Sequence, residues 1–93
     1  MHKYIIEREI PKVGTFEHQQ LRDASKASNA VLAALGPEIQ WVESFVTDDK
    51  TFCVYLAKDE AIIQRHAKMS GFPATKVTVV KRLFDPTTAH TAA

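Results

Sequence analysis

A histidine and three glutamates are the side chains with the clearest potential for chemistry in this chain. His66 follows Ile62 by one turn of a predicted helix, on the side that also carries apolar residues. Glu43 is the single charge in an apolar run of a predicted strand, and Glu7 and Glu9 lie two residues apart on another. Neutral imidazole suits first-row divalent metals, and carboxylates can complete a looser ligand shell. We therefore take His66, Glu43, Glu7 and Glu9 as candidate metal ligands.

Each of these residues also has a simpler interpretation. His66 can lie at the edge of its helix and hydrogen-bond a neighbour, as partly buried histidines often do. Glu43 can lie at the outer edge of the sheet. Glu7 and Glu9 can belong to a solvated strand face neutralised by neighbouring cations, or they can act as acid and base. Both interpretations stay open at the level of sequence.

The remaining reactive residue types form no motif. Cys53 and Tyr55 point the same way along a predicted strand, but a thiolate nucleophile needs a cation or a helix N-terminus to lower its pKa. No such group adjoins Cys53 in the sequence, so we expect it to pack in an interface between two copies of the chain. His2, His18 and His90 form no chelating pair with one another.

Composition limits the possible partners. The 93 residues are 45% hydrophobic and 25% charged with a formal net charge of +1, as in one ordinary globular domain. Near-zero charge argues against nucleic acid or an anionic membrane as a partner. No apolar run is long enough for a signal peptide or a membrane span. With a single cysteine, we expect a cytoplasmic protein.

Hydrophobic periodicity predicts six elements and one domain over residues 1–86, followed by a mobile tail over residues 87–93. A helical stripe with three- and four-residue spacing indicates the first helix, which Gly36 and Pro37 end. Asp59 is the predicted N-cap of the second helix, and Gly71 ends it. The strands are predicted over residues 3–10, 39–46, 51–57 and 76–84, and the helices over 16–35 and 59–70.

The segment over residues 39–57 predicts a hairpin with a loop at Asp48–Asp49. Such a loop pairs Val46 with Thr51, Phe45 with Phe52 and Trp41 with Leu56. Strand alternation then puts one apolar set on a single face, which we expect to face the helices. That set comprises Ile39, Trp41, Phe45, Phe52, Val54 and Leu56, with Glu43.

The order of elements, βαββαβ, predicts an α+β ferredoxin-like fold with a four-stranded antiparallel sheet. Right-handed crossovers put both helices on one face of the sheet. The opposite face, expected to carry Val42, Val46, Cys53 and Tyr55, would then be an exposed apolar patch of a kind that monomers avoid. We therefore expect a homodimer in which two helix-free sheet faces meet, forming a dimeric α+β barrel.

Several segments resemble a known family. They are YIIEREIP (residues 4–11), GPEIQW (36–41), SFVTDDK (44–50), CVY (53–55), HAKMSGFP (66–73) and DP (85–86). With this spacing they are similar to a family of short bacterial proteins that carries a domain-of-unknown-function label and is associated with the name nickel-binding protein. The resemblance implies a ferredoxin-like dimer that binds nickel or another divalent metal. The chain departs from many of these relatives at Glu43, where they have histidine.

These observations favour a small cytoplasmic homodimer that binds a divalent metal such as nickel, without a defined catalytic activity. A second hypothesis is a cofactor-free monooxygenase-like or isomerase-like enzyme with a small-molecule ligand in a cleft between helix and sheet. Its pocket would be lined by Trp41, Phe45, Tyr4 and His66, with His66 as acid or base. A third is a dimer that serves only as an interaction or scaffolding module.

Overall fold

The structure, a computed structural model, describes residues 1–92. It has four strands, two α-helices and two short 3-10 helices. The strands are β1 (His2–Glu9), β2 (Ile39–Val46), β3 (Lys50–Ala57) and β4 (Lys76–Val79), and the α-helices are α1 (His18–Leu35) and α2 (Glu60–Ser70). The sheet is antiparallel with the order β2-β3-β1-β4, so the predicted ferredoxin-like fold is confirmed.

The helices begin and end through local capping. Glu17 and Gln20 form a reciprocal capping box at the start of α1. At α2, the Asp59 carboxylate accepts a hydrogen bond from the Ile62 backbone N–H at 3.0 Å. Gly71 ends α2 in the left-handed region, with φ at 79°, which glycine adopts without steric cost.

The hairpin contains a β-bulge that the sequence analysis missed. The Asp48–Asp49 loop and the pairs Val46–Thr51 and Phe45–Phe52 are as predicted. Between Trp41 and Glu43 the register shifts by one residue, because Val42 is an extra residue in β2. Trp41 therefore pairs with Tyr55 instead of Leu56.

The bulge and the burial pattern of β3 correct the predicted assignment of faces. The helix-facing side of β3 carries Thr51, Cys53, Tyr55 and Ala57, all buried. Ile39 and Trp41 lie on that side as predicted, but the remainder of the predicted set faces away from the helices: Glu43, Phe45, Phe52, Val54 and Leu56. The predicted set was wrong because strict alternation cannot hold across an inserted residue.

The core lies between the helix-facing side and the helices. Tyr4 and Ile6 of β1 pack with Ile39 and with Ile62 and Ile63 of α2. Arg8 continues the inward alternation of β1 and is also buried. The inward face of β1, which the sequence left open, is therefore the one that carries Tyr4, Ile6 and Arg8. Glu7 and Glu9 lie on the opposite, helix-free face.

Two features outside the core complete the fold. The 3-10 helix Val13–Thr15 packs so closely on the hairpin loop that a Cβ on Gly14 would lie 2.9 Å from the Asp48 Cα. The second 3-10 helix, Pro86–His90, lies at the start of the predicted tail, whose mobility stays a prediction. Among the described residues, no helix combines the length and apolar character needed to cross a bilayer.

Candidate functional site

A cavity of about 420 Å³ lies between α1 and the helix-facing side of the sheet. Most of its wall is apolar, and the side chains come from four parts of the fold: α1, the strands, the first 3-10 helix and the loop after α2. The apolar wall comprises Ile10, Val13, Phe16, Leu21, Ala24, Trp41, Val46, Phe72 and Pro73. Polar groups converge on it from Arg8, Ser25, Ser28, Ser44, Thr51 and Tyr55, together with Cys53.

Arg8 is the charged residue of this wall, and it is only 3% exposed. Its Nη1 donates to the backbone carbonyl oxygens of Pro73 at 2.9 Å and Phe72 at 3.3 Å. The guanidinium lies 5.9 Å from the centre of the Tyr55 ring, which adds a cation–π attraction. Its Nη2 has no hydrogen-bond partner among the described residues. Arg8, a residue of the cavity wall, thus carries a buried charge and one unused donor, Nη2.

Ser28 of α1, which lines the cavity, and His66 of α2, which does not, form a buried polar pair. The Ser28 Oγ and the His66 Nε2 are 3.0 Å apart, and the His66 ring packs against Tyr55 with 5.4 Å between ring centres. Burial and the nearby Arg8 charge lower the pKa of His66 from 6.5 to about 4. The imidazole is therefore neutral at pH 7, and its Nδ1 has no partner within the described chain.

Tyr55 adds a neutral hydroxyl to the same cluster. Burial raises its pKa above 10.0, although the Arg8 charge and a hydrogen bond with Ser28 oppose the shift. Nearby, the Trp41 Nε1 donates to the Ser44 Oγ at 2.9 Å across the β-bulge, which orients the indole along the cavity. The polar groups of the wall are thus uncharged, except for Arg8.

The four predicted metal ligands fall into two separate places. His66 is fully buried among the helices, whereas Glu43, Glu7 and Glu9 lie on the helix-free face. Glu7 pairs with Lys50 at 3.8 Å. No group of three His, Cys, Asp or Glu residues within residues 1–92 is arranged to hold a metal ion. Residues 1–92 of a single copy therefore do not bring together a ligand set that fits nickel.

Other residues also differ from their predicted places. Cys53 and Tyr55 face the helices, and Cys53 lines the cavity instead of a seam between two copies. Of the four residues predicted to line a small-molecule pocket, Trp41 does so, and Phe45, Tyr4 and His66 do not. His2, His18 and His90 are exposed.

Arg8 and Ser28 were not predicted as site residues, although each is a polar residue in an apolar pattern. Arg8 continues the alternation of Tyr4 and Ile6, and Ser28 falls on the apolar stripe of α1. A polar residue in an apolar pattern is the observation that distinguishes such positions.

Comparison with known proteins agrees with the fold. A family model described as nickel responsive protein SCO4226-like matches residues 4–80. The crystal structure of SCO4226 from Streptomyces coelicolor A3(2) is similar to this chain with a TM-score of 0.75 and 14% identity, covering 88% of this chain and 99% of that one. No curated protein matches. Because the family model spans most of the chain, this protein belongs to the family of SCO4226-like nickel-responsive proteins.

Proposed function

We propose that the protein binds a small, predominantly apolar molecule in the cavity between α1 and the sheet. The observation that supports this function is the cavity itself, with its apolar wall and its few convergent polar groups. Its volume, about 420 Å³, falls in the range of roughly 300–1,000 Å³ typical of ligand pockets. A pocket of this kind is built at the expense of a filled core, and a ligand would restore the missing contacts.

The properties of His66 favour a binding function over a function in which this residue acts as an acid–base catalyst. A general base works best when its pKa is near the operating pH, whereas the pKa of His66 is lowered to about 4. Its Nε2 is also engaged with the Ser28 Oγ, and the ring does not line the cavity. The enzyme hypothesis therefore lacks support for His66 as acid or base. The cleft between helix and sheet that it assumes is supported by the cavity.

Ligand binding can be tested through Trp41, the single tryptophan of the chain, which lines the cavity. Octanamide is a suitable probe because it is apolar and uncharged. We expect it to change the Trp41 emission in a saturable way. Ala24→Phe, which fills the cavity from α1, should abolish the change, whereas Ala34→Phe on the exposed side of the same helix should not. Equal binding of octanamide by the two variants, or binding of neither octanamide nor its carboxylate analogue octanoate by the parent, would refute the proposal.

A second candidate function is nickel binding by a cytoplasmic homodimer, which membership of the nickel-responsive family favours. Because the described residues of one copy do not assemble a metal site, we propose that an ion would need ligands from two copies. The carboxylates of Glu7, Glu9 and Glu43 lie on the helix-free face, where a second copy would pack. His66, on the other side of the sheet, would not share that ion.

Isothermal titration with nickel tests this second function and its ligands. We expect heat of binding from the parent, unchanged heat from His66→Ala and weaker binding from Glu43→Gln. No heat from the parent would remove nickel binding. Loss of binding in His66→Ala, with its fold intact by circular dichroism, would move the site to the interior.

A further inference from the structure

We infer that the ligand of the helix–sheet cavity carries a carboxylate group, which pairs with Arg8. This inference rests on the proposed small-molecule function and specifies the class of ligand. It comes from an imbalance of charge and hydrogen bonding in the cavity wall.

Arg8 brings a permanent positive charge to the cavity that it lines. A guanidinium stays protonated inside proteins, so burial cannot remove its charge in the way that it does for histidine. A buried charge is costly unless it is paired and hydrogen-bonded. Among residues 1–92, the ion pairs join Lys50 to Glu7 and Lys58 to Glu38, and neither pair includes Arg8.

The groups that surround the guanidinium do not balance its charge. Two backbone carbonyls satisfy Nη1, and the Tyr55 ring offers its face. The phenol of Tyr55 and the imidazole of His66 are both neutral at pH 7, so neither compensates the charge. Nη2 is buried and has no partner in the described chain. Arg8 therefore keeps one unpaired positive charge and one unmatched donor beside the cavity that it lines.

A carboxylate is the group that would match both the charge and the unused donor of Arg8. Arginine recognises carboxylates through planar, charge-assisted hydrogen bonds. Ser28 and Tyr55, which also line the cavity, supply hydroxyl donors for the second oxygen. The rest of the wall is apolar and would suit a hydrocarbon or aromatic body. A carboxylate attached to such a body matches the charge, the donors and the wall together.

A matched pair of probes tests the inference at pH 7.5. Octanoate and octanamide share a chain and differ in the charge of the head group, and Trp41 emission reports both. We expect the parent protein to bind octanoate at least about tenfold more tightly than octanamide, a difference of about 1.4 kcal/mol, because hydrogen bonds to charged groups are stronger than those between neutral groups. Arg8→Met should remove the preference, Arg8→Lys should retain part of it, and the exposed control Arg65→Met should leave it unchanged.

The outcomes separate the inference from the function beneath it. Equal affinity of the parent for the two probes would overturn the carboxylate inference and leave the cavity as a binding site. Failure of the parent to bind either probe would overturn both. If Arg8→Met does not fold, because Nη1 ties β1 to the Phe72–Pro73 loop, the comparison in the parent decides alone.

Discussion

Buried polar side chains decide the chemistry of this protein, and the sequence located them only in part. The spacing from Ile62 correctly put His66 on the inward side of α2. Its partner Ser28 lies 38 residues earlier, and no local pattern reports a hydrogen bond between two helices. Arg8 was equally hard to place, because the alternation of β1 allowed either face to be buried. Residue types predicted candidates, whereas tertiary packing determined their partners.

His66 should make the stability of the fold depend on pH. Its pKa is about 4 in the folded chain and near 6.5 when unfolded, so the unfolded state binds the extra proton between these values. The free energy of unfolding should therefore decrease as pH falls from 6.5 toward 4, by up to about 3 kcal/mol in all. Above pH 6.5 this contribution is complete and constant.

Denaturant unfolding of the parent and of His66→Gln across pH 4–8 measures this dependence. Carboxylates titrate in both proteins, so the difference between the two curves isolates the histidine. The parent curve should be steeper below pH 6.5. Parallel curves would show that the imidazole protonates equally well in the folded state.

At the scale of elements, most of the fold followed from the sequence. Both α-helices, their glycine ends, the hairpin loop and the order of strands were predicted, because caps, turns and periodicity are local signals. The β-bulge at Val42 was not, since a bulge is one extra residue whose cost and benefit depend on the neighbouring strand. The reversed face of Phe45 and Phe52 followed from that omission and from the apolar character of the helix-free face.

Deleting Val42 should show how much the bulge contributes. Without this residue, β2 can pair with β3 in a regular ladder, so Ile39 and Trp41 keep their partners Ala57 and Tyr55 and stay on the helix-facing side. The hydrogen bond from Trp41 Nε1 to Ser44 Oγ spans the bulge, so its loss in the deletion variant predicts destabilisation of about 1 kcal/mol. Val42→Thr keeps the bulge at a site that is 51% exposed, so we expect a change within about 0.5 kcal/mol.

Chemical denaturation monitored by Trp41 emission compares the two variants. Both variants should keep the folded-state emission of the parent, because the indole stays on the helix-facing side. A deletion variant as stable as Val42→Thr would show that the bulge does not contribute to stability, and an emission shift to longer wavelength would show that Trp41 had left the helix-facing side.

At the scale of the whole molecule, the helix-free face is the least explained surface of a single copy. Phe45 is 55% exposed there, Ile5 is 37% exposed, and Phe52, Val54 and Leu56 are half-buried around them. A chain of 93 residues has a thin core, and covering such a patch would add to it. The homodimer expected from sequence thus stays a proposal, with a different set of residues at its interface.

Sedimentation velocity at micromolar concentration tests that assembly. We expect the parent to sediment as a dimer and Phe45→Lys to sediment as a monomer, because the charge would be buried between two sheets. Met69→Lys is a matched control, since Met69 is 52% exposed but lies on α2, away from the helix-free face. A monomeric parent, or dimers of both variants, would exclude this face as the interface.

The position of Cys53 has a practical consequence. It is the single thiol of the chain, it is 5% exposed, and it forms part of the cavity wall. An alkylating reagent that reaches the sulfur without unfolding the protein must therefore enter the same space as a ligand. The rate of Cys53 alkylation should therefore decrease when a ligand occupies the cavity. Slower alkylation in the presence of a compound would report its binding without any label.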